Sequence, residues 1–296
     1  MKSAIFRKFA NHPLVVLRYI RVVTQKITFL EGFIIIVSIK KFCTVLAATC
    51  AISFSSVAVA TAETRTDTNS GTTPNIIGGS VVTSPWAVQL RFNVTGSNGI
   101  SGCTGEQLNA QWVLTAKHCI DGASNMQVYH SNNQLNPGTA VRASRVYAAH
   151  SGDIALVQLD RPVSLPSYPR LDFSYSPRTG DTGTIVGYGL GAYDQPTTSL
   201  RMATVQVEGP SIDAYGGPAA QLRGVSGAAN RGDAAGLLVI NGRIVAVCST
   251  GDRSPGGNIN AQSSYALLSQ AASWIQRTAG VNALGVADTG EFATIN

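Results

Sequence analysis

Charge of either sign is scarce in this sequence, and the positive charge is concentrated at one end. Only 13% of the 296 residues are charged, and eight of the 22 Lys and Arg residues lie within the first 41 positions. From Glu63 onward, 14 bases stand against 15 acids, so the net charge of +6 belongs to the N-terminal segment. Recognition of a polyanion needs clustered positive charge. We therefore expect no nucleic-acid partner.

Cysteine is also scarce, and its count limits the disulfides that can form. Of the five cysteines, Cys43 and Cys50 fall in the N-terminal segment, which leaves Cys103, Cys119 and Cys248. Three cysteines cannot all pair within one chain. Cys103 and Cys119 flank an apolar strand pattern and are the expected disulfide. Cys248 ends an apolar run and is expected to be a buried free thiol.

The N-terminal end has the pattern of a secretory signal peptide. Two lysines precede the uncharged stretch 42–62, which closes on small-x-small sequences that end at Ala60 and Ala62. A basic end, an apolar middle and a small-residue exit are typical of such signals. The pattern predicts a leader over 1–62 with the signal at about 37–62, and hence a secreted protein. An uncleaved membrane anchor is the alternative, because the stretch is nearly long enough to span a bilayer.

After the leader, the sequence predicts a protein built of short strands. Residues 63–75 are polar and linker-like. Short apolar runs then alternate with Gly, Pro, Asn and Ser, a spacing typical of a barrel or sandwich. Asn241-Gly242 predicts a two-residue hairpin turn. Apolar residues at helical spacing predict one helix over 264–278, followed by a tail at 279–296. The predicted strands cover 87–92, 111–116, 154–159, 184–187, 204–207, 237–240 and 244–247.

Four motifs along the chain carry chemical information. Taken alone, each has a simple structural explanation: a glycine pair marks a turn, a histidine at a strand end is usually structural, and an aspartate before a strand is a turn former. Their joint occurrence in one order, with a cysteine pair around the histidine, is not explained in that way. The motifs are Ile76-Ile77-Gly78-Gly79, Trp112-Val113-Leu114-Thr115-Ala116-Lys117-His118-Cys119, Asp153-Ile154-Ala155-Leu156 and Gly232-Asp233-Ala234-Ala235-Gly236.

Together these motifs resemble the trypsin/chymotrypsin family of serine proteases over about residues 76–278. Thr184-Ile185-Val186-Gly187-Tyr188-Gly189 and Ser249-Thr250-Gly251 add to the resemblance. It implies an all-β fold of two packed six-stranded antiparallel β-barrels with a C-terminal helix, and a site in the cleft between the barrels. It places the first barrel near 76–165 and the second near 175–262, and it suggests a secreted member of bacterial type.

The resemblance assigns roles to individual residues of a catalytic site. His118 matches the general base, and Asp153 matches the buried acid that orients the imidazole. Ser249 matches a serine that donates a hydrogen bond to that acid. The backbone N–H groups of Gly232 and Ala234 match the oxyanion hole, which stabilises the tetrahedral intermediate of acyl transfer.

Two further groups of residues follow from the same resemblance. Ile76 matches the residue whose amine is freed when a propeptide is removed, and Asp233 matches the acid that then pairs with this amine. Asn75 precedes Ile76, so an activating protease that cuts after Arg or Lys has no site there. Ala228, Ala229 and Gly251 match the primary specificity pocket. Because no acid lies at its base, a preference for Arg or Lys substrates is not expected.

The nucleophile motif departs from the family. The family reads Gly-Asp-Ser-Gly-Gly-Pro, whereas residues 232–237 read Gly-Asp-Ala-Ala-Gly-Leu. Ala234 stands where the resemblance places the nucleophilic serine, so His118 has no hydroxyl to deprotonate. Ser226 lacks a preceding acid and lies too early in the sequence to replace it. A laboratory change would alter one residue, but Ala235 and the leucine depart from the pattern as well.

Three functional hypotheses remain open at this stage. The first is a secreted pseudoprotease, monomeric and without metal or cofactor, that binds a peptide or protein in the former active cleft. Apart from the signal peptide, no membrane contact is expected. The alternative is an active serine endopeptidase whose nucleophile is mutated in this chain or unrecognised. The third is a secreted structural domain without a ligand. The presence of His118, Asp153 and Ser249 favours a cleft that still forms.

Overall fold

A computed structural model of the chain describes residues 76–190, 195–230, 233–251, 256–282 and 284. The predicted leader, the linker and nearly the whole tail lie outside these residues, so the predictions made for them stay predictions. No helix among the described residues is long and apolar enough to cross a membrane.

Strands account for most of the regular structure in the described part of the chain. Each predicted strand lies within or overlaps an observed one. In chain order the strands are β1 (Ile77–Gly78), β2 (Ser80–Val81), β3 (Ala87–Val94), β4 (Ile100–Gln107), β5 (Trp112–Thr115), β6 (Ala123–Tyr129), β7 (Val141–Ala148), β8 (Ala155–Leu159), β9 (Thr182–Gly187), β10 (Arg201–Ile212), β11 (Pro218–Gly224), β12 (Gly227–Ala228), β13 (Leu237–Ile240), β14 (Arg243–Thr250) and β15 (Gln262–Leu267).

These strands form two six-stranded antiparallel barrels, which confirms the predicted fold. The first is closed in the order β3-β4-β5-β8-β7-β6. The second runs β11-β15-β14-β13-β9-β10 and closes where β10 pairs with β11. Strand β2 extends the second barrel at β10, and β1 pairs with β12. Between β13 and β14, Asn241 and Gly242 both have positive φ, as a type I′ hairpin requires.

Three apolar clusters hold the barrels together. One fills the first barrel around Val88 and Leu90, and one fills the second around Val205 and Leu222. The third lies between the barrels and includes Trp86. Strands whose residues are buried on both faces line this interface, which explains the long apolar runs of β13 and β14.

The predicted helix over 264–278 is wrong in its first half. Residues 262–267 belong to β15, a short 3-10 turn covers Leu268–Ala271, and the helix α1 (Ala272–Ala279) begins only then. Leu267 fits the helical spacing of Leu268, Ala271 and Ile275, but it packs inside the second barrel with Tyr265 because β15 pairs with both β11 and β14. Gly280 ends α1 with the left-handed conformation common after a helix.

Candidate active-site cleft

His118 and Asp153 are brought together by two neighbouring strands of the first barrel. His118 lies in the 3-10 turn after β5, Asp153 lies just before β8, and these strands pair with Thr115 opposite Ala155. The His118 backbone N–H donates to Asp153 Oδ1 at 2.9 Å, and its Nδ1 lies 2.6 Å from Oδ2. A carboxylate only accepts, so Nδ1 donates to Asp153 and the other ring nitrogen, Nε2, makes no contact with it.

The second barrel contributes Ser249 to this pair. Ser249 Oγ donates to Asp153 Oδ2 at 2.7 Å and accepts the Ala214 N–H at 2.9 Å. Asp153 is fully buried and has three donors on its carboxylate. The His118 side chain is 31% exposed, and its Nε2 has no hydrogen-bond partner within the described residues. The arrangement presents an oriented imidazole to the cleft between the barrels.

A disulfide fixes the histidine turn from the other side. Cys103 on β4 and Cys119 are bonded, with their Cα atoms 6.3 Å apart. Because both sulfurs are used in this bond, the cluster of Cys103, Cys119 and His118 offers no thiolate to a metal ion. Cys248 is a buried free thiol, and burial raises its pKa well above the ordinary range. Such a thiol is unreactive at neutral pH.

The turn that carries Ala234 connects both barrels. The Ala234 carbonyl accepts the Thr104 N–H of β4 at 3.0 Å, and the Ala235 N–H donates to the Cys248 carbonyl at 2.9 Å. Ala234 packs against the core of the first barrel. Ala235 is buried and has φ +62°, a conformation that favours glycine. Gly232 lies outside the described residues. Ala234 itself offers a methyl group where acyl transfer needs a nucleophile.

Asp233 is buried beside this turn, and its carboxylate accepts hydrogen bonds from two backbone N–H groups. Its Oδ1 accepts the Gly189 N–H at 2.8 Å, and its Oδ2 accepts the Asn230 N–H at 2.9 Å. Burial has the larger effect and raises the pKa of Asp233 to about 7, although these two hydrogen bonds lower this pKa. Ile76 is only 1% exposed, within the second-barrel cluster, with an unusual φ of +37° for a β-branched residue.

The three residues matched to the specificity pocket lie together, but they leave no space between them. Ala228 and Ala229 are buried, and Gly251 follows the end of β14. A Cβ atom on Gly251 would lie 3.1 Å from the carbonyl oxygens of both Ala229 and Asn230. A side chain held between two backbone segments needs van der Waals distance on each side, roughly 3.5–4 Å. Between Gly251 and the carbonyls of Ala229 and Asn230, the described residues therefore leave no room for a substrate side chain.

Sequence reasoning missed Asp213, which lies next to the site. Asp213 is in the connection between β10 and β11, and its Oδ2 accepts the Asp153 N–H at 3.0 Å. Its Oδ1 accepts the N–H groups of Tyr215 and Gly217, both at 2.9 Å. Gln270 Nε2 donates to Oδ2 at 3.2 Å. The only sequence signal for this position is a pattern typical of a tight turn, Asp213-Ala214-Tyr215-Gly216-Gly217.

The same turn contacts the residues around His118. The Lys117 ammonium lies 4.5 Å from the centre of the Tyr215 ring, and the Tyr215 hydroxyl donates to Asp121. We call residues 213–217 the strap. It links the second barrel to the histidine turn and to Asp153 of the first barrel.

Glu106 is a second feature that the sequence did not reveal. Its carboxyl group is fully buried, and neither oxygen has a hydrogen-bond partner among the described residues. Burial raises the pKa of Glu106 well above its ordinary value, and Tyr188 and Tyr265 lie close enough for their pKa values to respond to ionisation of Glu106. With no partner for a carboxylate among the described residues, burial favours the neutral acid. Its two tyrosine neighbours belong to the second barrel, so Glu106 faces the interface.

Comparison with known proteins places this geometry in a family. The family model described as Trypsin matches residues 76–275. The chain therefore belongs to the trypsin family of serine proteases.

Individual relatives are distant. A beta-fibrinogenase-like protein of Daboia siamensis is 30% identical over 181 residues, which cover 52% of this chain and 69% of that protein. A periplasmic serine protease of do/HhoA-like type from Haemophilus influenzae is 35% identical over 165 residues, which cover 55% of this chain and 32% of that protein.

Solved structures share the fold. The scabies mite inactivated protease paralogue S-I1 is 25% identical with a TM-score of 0.56, over 69% of this chain and 99% of that one. HL collagenase has a TM-score of 0.58 at 19% identity, over 69% of this chain and 98% of that one, a likeness in fold alone.

Proposed function

We propose that this protein is an exported, monomeric pseudoprotease that binds a peptide or protein in the cleft between its barrels. The observation that carries the proposal is the alanine at position 234, next to an otherwise complete arrangement of His118, Asp153 and Ser249. An oriented imidazole without a hydroxyl partner cannot form an acyl-enzyme. In a comparable triad, loss of the nucleophile lowers turnover on the order of 10⁶-fold.

The closed specificity pocket supports the same proposal. With Gly251 against the carbonyls of Ala229 and Asn230, a substrate side chain has no place to anchor beside Ala234. Positioning of the substrate is a large part of protease catalysis. The scabies mite protein named as an inactivated protease paralogue is a relative of comparable fold. Loss of activity on this scaffold therefore has a precedent.

Export is proposed from the leader together with the relatives. One relative is named a snake venom serine protease, and another is named a probable periplasmic serine protease. A disulfide between Cys103 and Cys119 is also stable only in an oxidising compartment.

The test is labelling with a serine-directed phosphonate. We expect no label on the protein itself, and label on the Ala234→Ser variant. His118→Ala in the Ala234→Ser background should abolish the label, because the imidazole is needed to activate the introduced hydroxyl. Stoichiometric labelling of the unaltered protein, lost on His118→Ala, would instead establish an active enzyme with another nucleophile.

A further inference from the structure

A cavity lies on the first barrel beside the disulfide. It has a volume of about 260 Å³ and is lined mainly by residues of β3 and β4 with Gln134 and Tyr188. Cys103 forms part of its wall, and Cys103 is bonded to Cys119, the neighbour of His118. Tyr188 N–H donates to Thr104, whose own N–H donates to the Ala234 carbonyl. The cavity therefore adjoins the cleft, with the disulfide between them.

Arg91 lines this cavity in a fixed orientation. Its Nη2 donates to Gln89 Oε1 at 2.9 Å and to the Gln134 carbonyl at 2.7 Å. Its guanidinium also lies 5.1 Å from the centre of the Tyr129 ring. Gln89 is in turn held by the carbonyl of Ser131, to which its Nε2 donates at 2.6 Å. A guanidinium held at one nitrogen and stacked on a ring loses little entropy when it binds a ligand.

The rest of the Arg91 guanidinium is open. A guanidinium has five N–H donors, and the two on Nη2 are used. The three on Nε and Nη1 have no acceptor among the described residues, and Arg91 takes part in no ion pair there. Among the described residues that line the cavity, none is acidic. The cavity thus presents one uncompensated positive charge together with amide groups.

We infer that this cavity binds an acidic side chain of a peptide or protein ligand, with Arg91 as the residue that recognises its carboxylate. This inference rests on the proposed function, since it takes the ligand of the cleft to be a polypeptide. Cys103 lines this cavity and is bonded to Cys119, the neighbour of His118, so a polypeptide in the cleft can extend past the disulfide into it. Charge-assisted hydrogen bonds to a carboxylate are about twice as strong as neutral ones. The specificity of the protein then lies here rather than in the closed pocket at Gly251.

The test titrates the full-length protein, with its arginine side chains labelled with ¹⁵N, with two small probes. N-acetylglutamate N-methylamide carries the carboxylate, and N-acetylglutamine N-methylamide is its neutral match. We expect the acid to shift the Arg91 Nε–H signal with a dissociation constant roughly tenfold or more below that of the amide. Equal responses to the two probes, or no response to the acid, would overturn the inference.

Two variants serve as controls. Arg91→Met keeps the apolar stem without the charge and should lose the response to the acid. Arg145→Met removes an exposed arginine of β7 in the same barrel and should leave that response unchanged. If Arg91→Met does not fold, the two probes on the unaltered protein still decide the matter. Tighter binding of inorganic phosphate than of the acid would assign the site to phosphate and contradict the inference.

Failure of this test is distinguishable from failure of the proposed function. The titration reports on Arg91 alone and uses no peptide long enough to fill the cleft. The phosphonate experiment reports on His118 and position 234 and does not involve Arg91. If the phosphonate labels only the Ala234→Ser variant and the acid probe does not bind, the proposed inactivity stands and the carboxylate site is rejected. If the acid probe binds but the phosphonate labels the unaltered protein, the carboxylate site stands and the protein is an active enzyme.

Discussion

At the scale of single residues, the consequences of the altered nucleophile motif go beyond the missing hydroxyl. Ala235 stands where the family has glycine, and it has φ +62° in a fully buried position. The left-handed conformation costs a residue with a Cβ roughly 1–2 kcal/mol. Removal of the Ala235 methyl group would relieve this backbone strain. Relaxation of the turn would then move the atoms of the neighbouring position 234.

We expect the Ala234→Ser, Ala235→Gly variant to be labelled by a phosphonate faster than Ala234→Ser alone. Relief of about 1 kcal/mol of strain corresponds to roughly a fivefold change in rate if all of it reaches the reactive geometry. The measurement is the second-order rate of inactivation for both variants under the same conditions. Equal rates would mean that the Ala235 methyl is harmless and only the hydroxyl was lost.

Glu106 makes stability depend on pH. Its folded pKa is raised by burial, so the folded state prefers the protonated form. The stabilisation is complete below the unfolded pKa near 4.3 and is lost as pH rises toward the folded pKa. We expect Glu106→Gln to be as stable as the unaltered protein near pH 4 and more stable at pH 7. The difference should grow by at most about 1.4 kcal/mol per pH unit.

Denaturant unfolding at several pH values measures this difference. Asp160→Asn is the matched control, since it neutralises an exposed acid just after β8 and should give no such slope. A Glu106→Gln variant whose stability follows that of the unaltered protein at every pH would show that Glu106 is not held neutral.

At the scale of elements, the strap is the connection that ties the two barrels together at the site. Asp213 accepts the N–H of Asp153 from the first barrel, while its neighbour Ala214 donates to Ser249. Tyr215 reaches Lys117 and Asp121 on the other side of His118. A connection of five residues thus determines the position of several groups that are far apart in sequence.

We expect Asp213→Ala to destabilise the protein by about 3 kcal/mol, because it leaves the buried N–H groups of Asp153 and Gly217, and the less buried N–H of Tyr215, without an acceptor. The measurement is the free energy of unfolding in urea. Asp160→Asn is the control, because this acid is exposed, forms no ion pair among the described residues and should cost less than about 1 kcal/mol. A similar cost for both changes would contradict the role assigned to the strap.

At the scale of the whole molecule, we expect cleavage before Ile76 to affect the cleft through Asp233. In the uncut chain Ile76 has no free amine, and Asp233 bonds to the main chain at Gly189 and Asn230. An ammonium freed at Ile76 is a stronger partner than these neutral amides. Pairing with it would lower the pKa of Asp233 from about 7 and draw the carboxylate away from residues that border the specificity pocket.

We therefore expect peptide binding in the cleft to depend on cleavage at Asn75–Ile76. Replacement of residues 71–75 by Asp-Asp-Asp-Asp-Lys lets enteropeptidase cut before Ile76, so cut and uncut samples of one variant can be compared. The cut sample should bind members of a peptide library at least roughly tenfold more tightly. Asp233→Asn should abolish the difference. Equal affinity of the two samples would show that the cleft is not coupled to this terminus.

The sequence predicted seven of the 15 strands of the described residues, together with the residue types at the site. Apolar runs such as 154–159 and the Asn241-Gly242 turn are local patterns, and local patterns were sufficient to predict the strands and hairpin they form. Strand β4 was missed because Ile100–Gln107 contains two glycines and several polar residues, and it is a strand only because β3 and β5 pair with it. The helix was predicted too long because helical spacing and a strand buried on both faces look alike over a few residues.

The tertiary structure decided what the sequence left open at the cleft. Glu106 is fully buried with no hydrogen-bond partner among the described residues, and Asp213 meets Asp153 across 60 positions of sequence. The contact of Gly251 with Ala229 and Asn230 closes the specificity pocket, although each of these residues is small. Motifs report residue types at fixed spacing, whereas burial, partners and open space depend on how distant segments pack. The alanine at position 234 could be read from the sequence, but the closed pocket beside it could not.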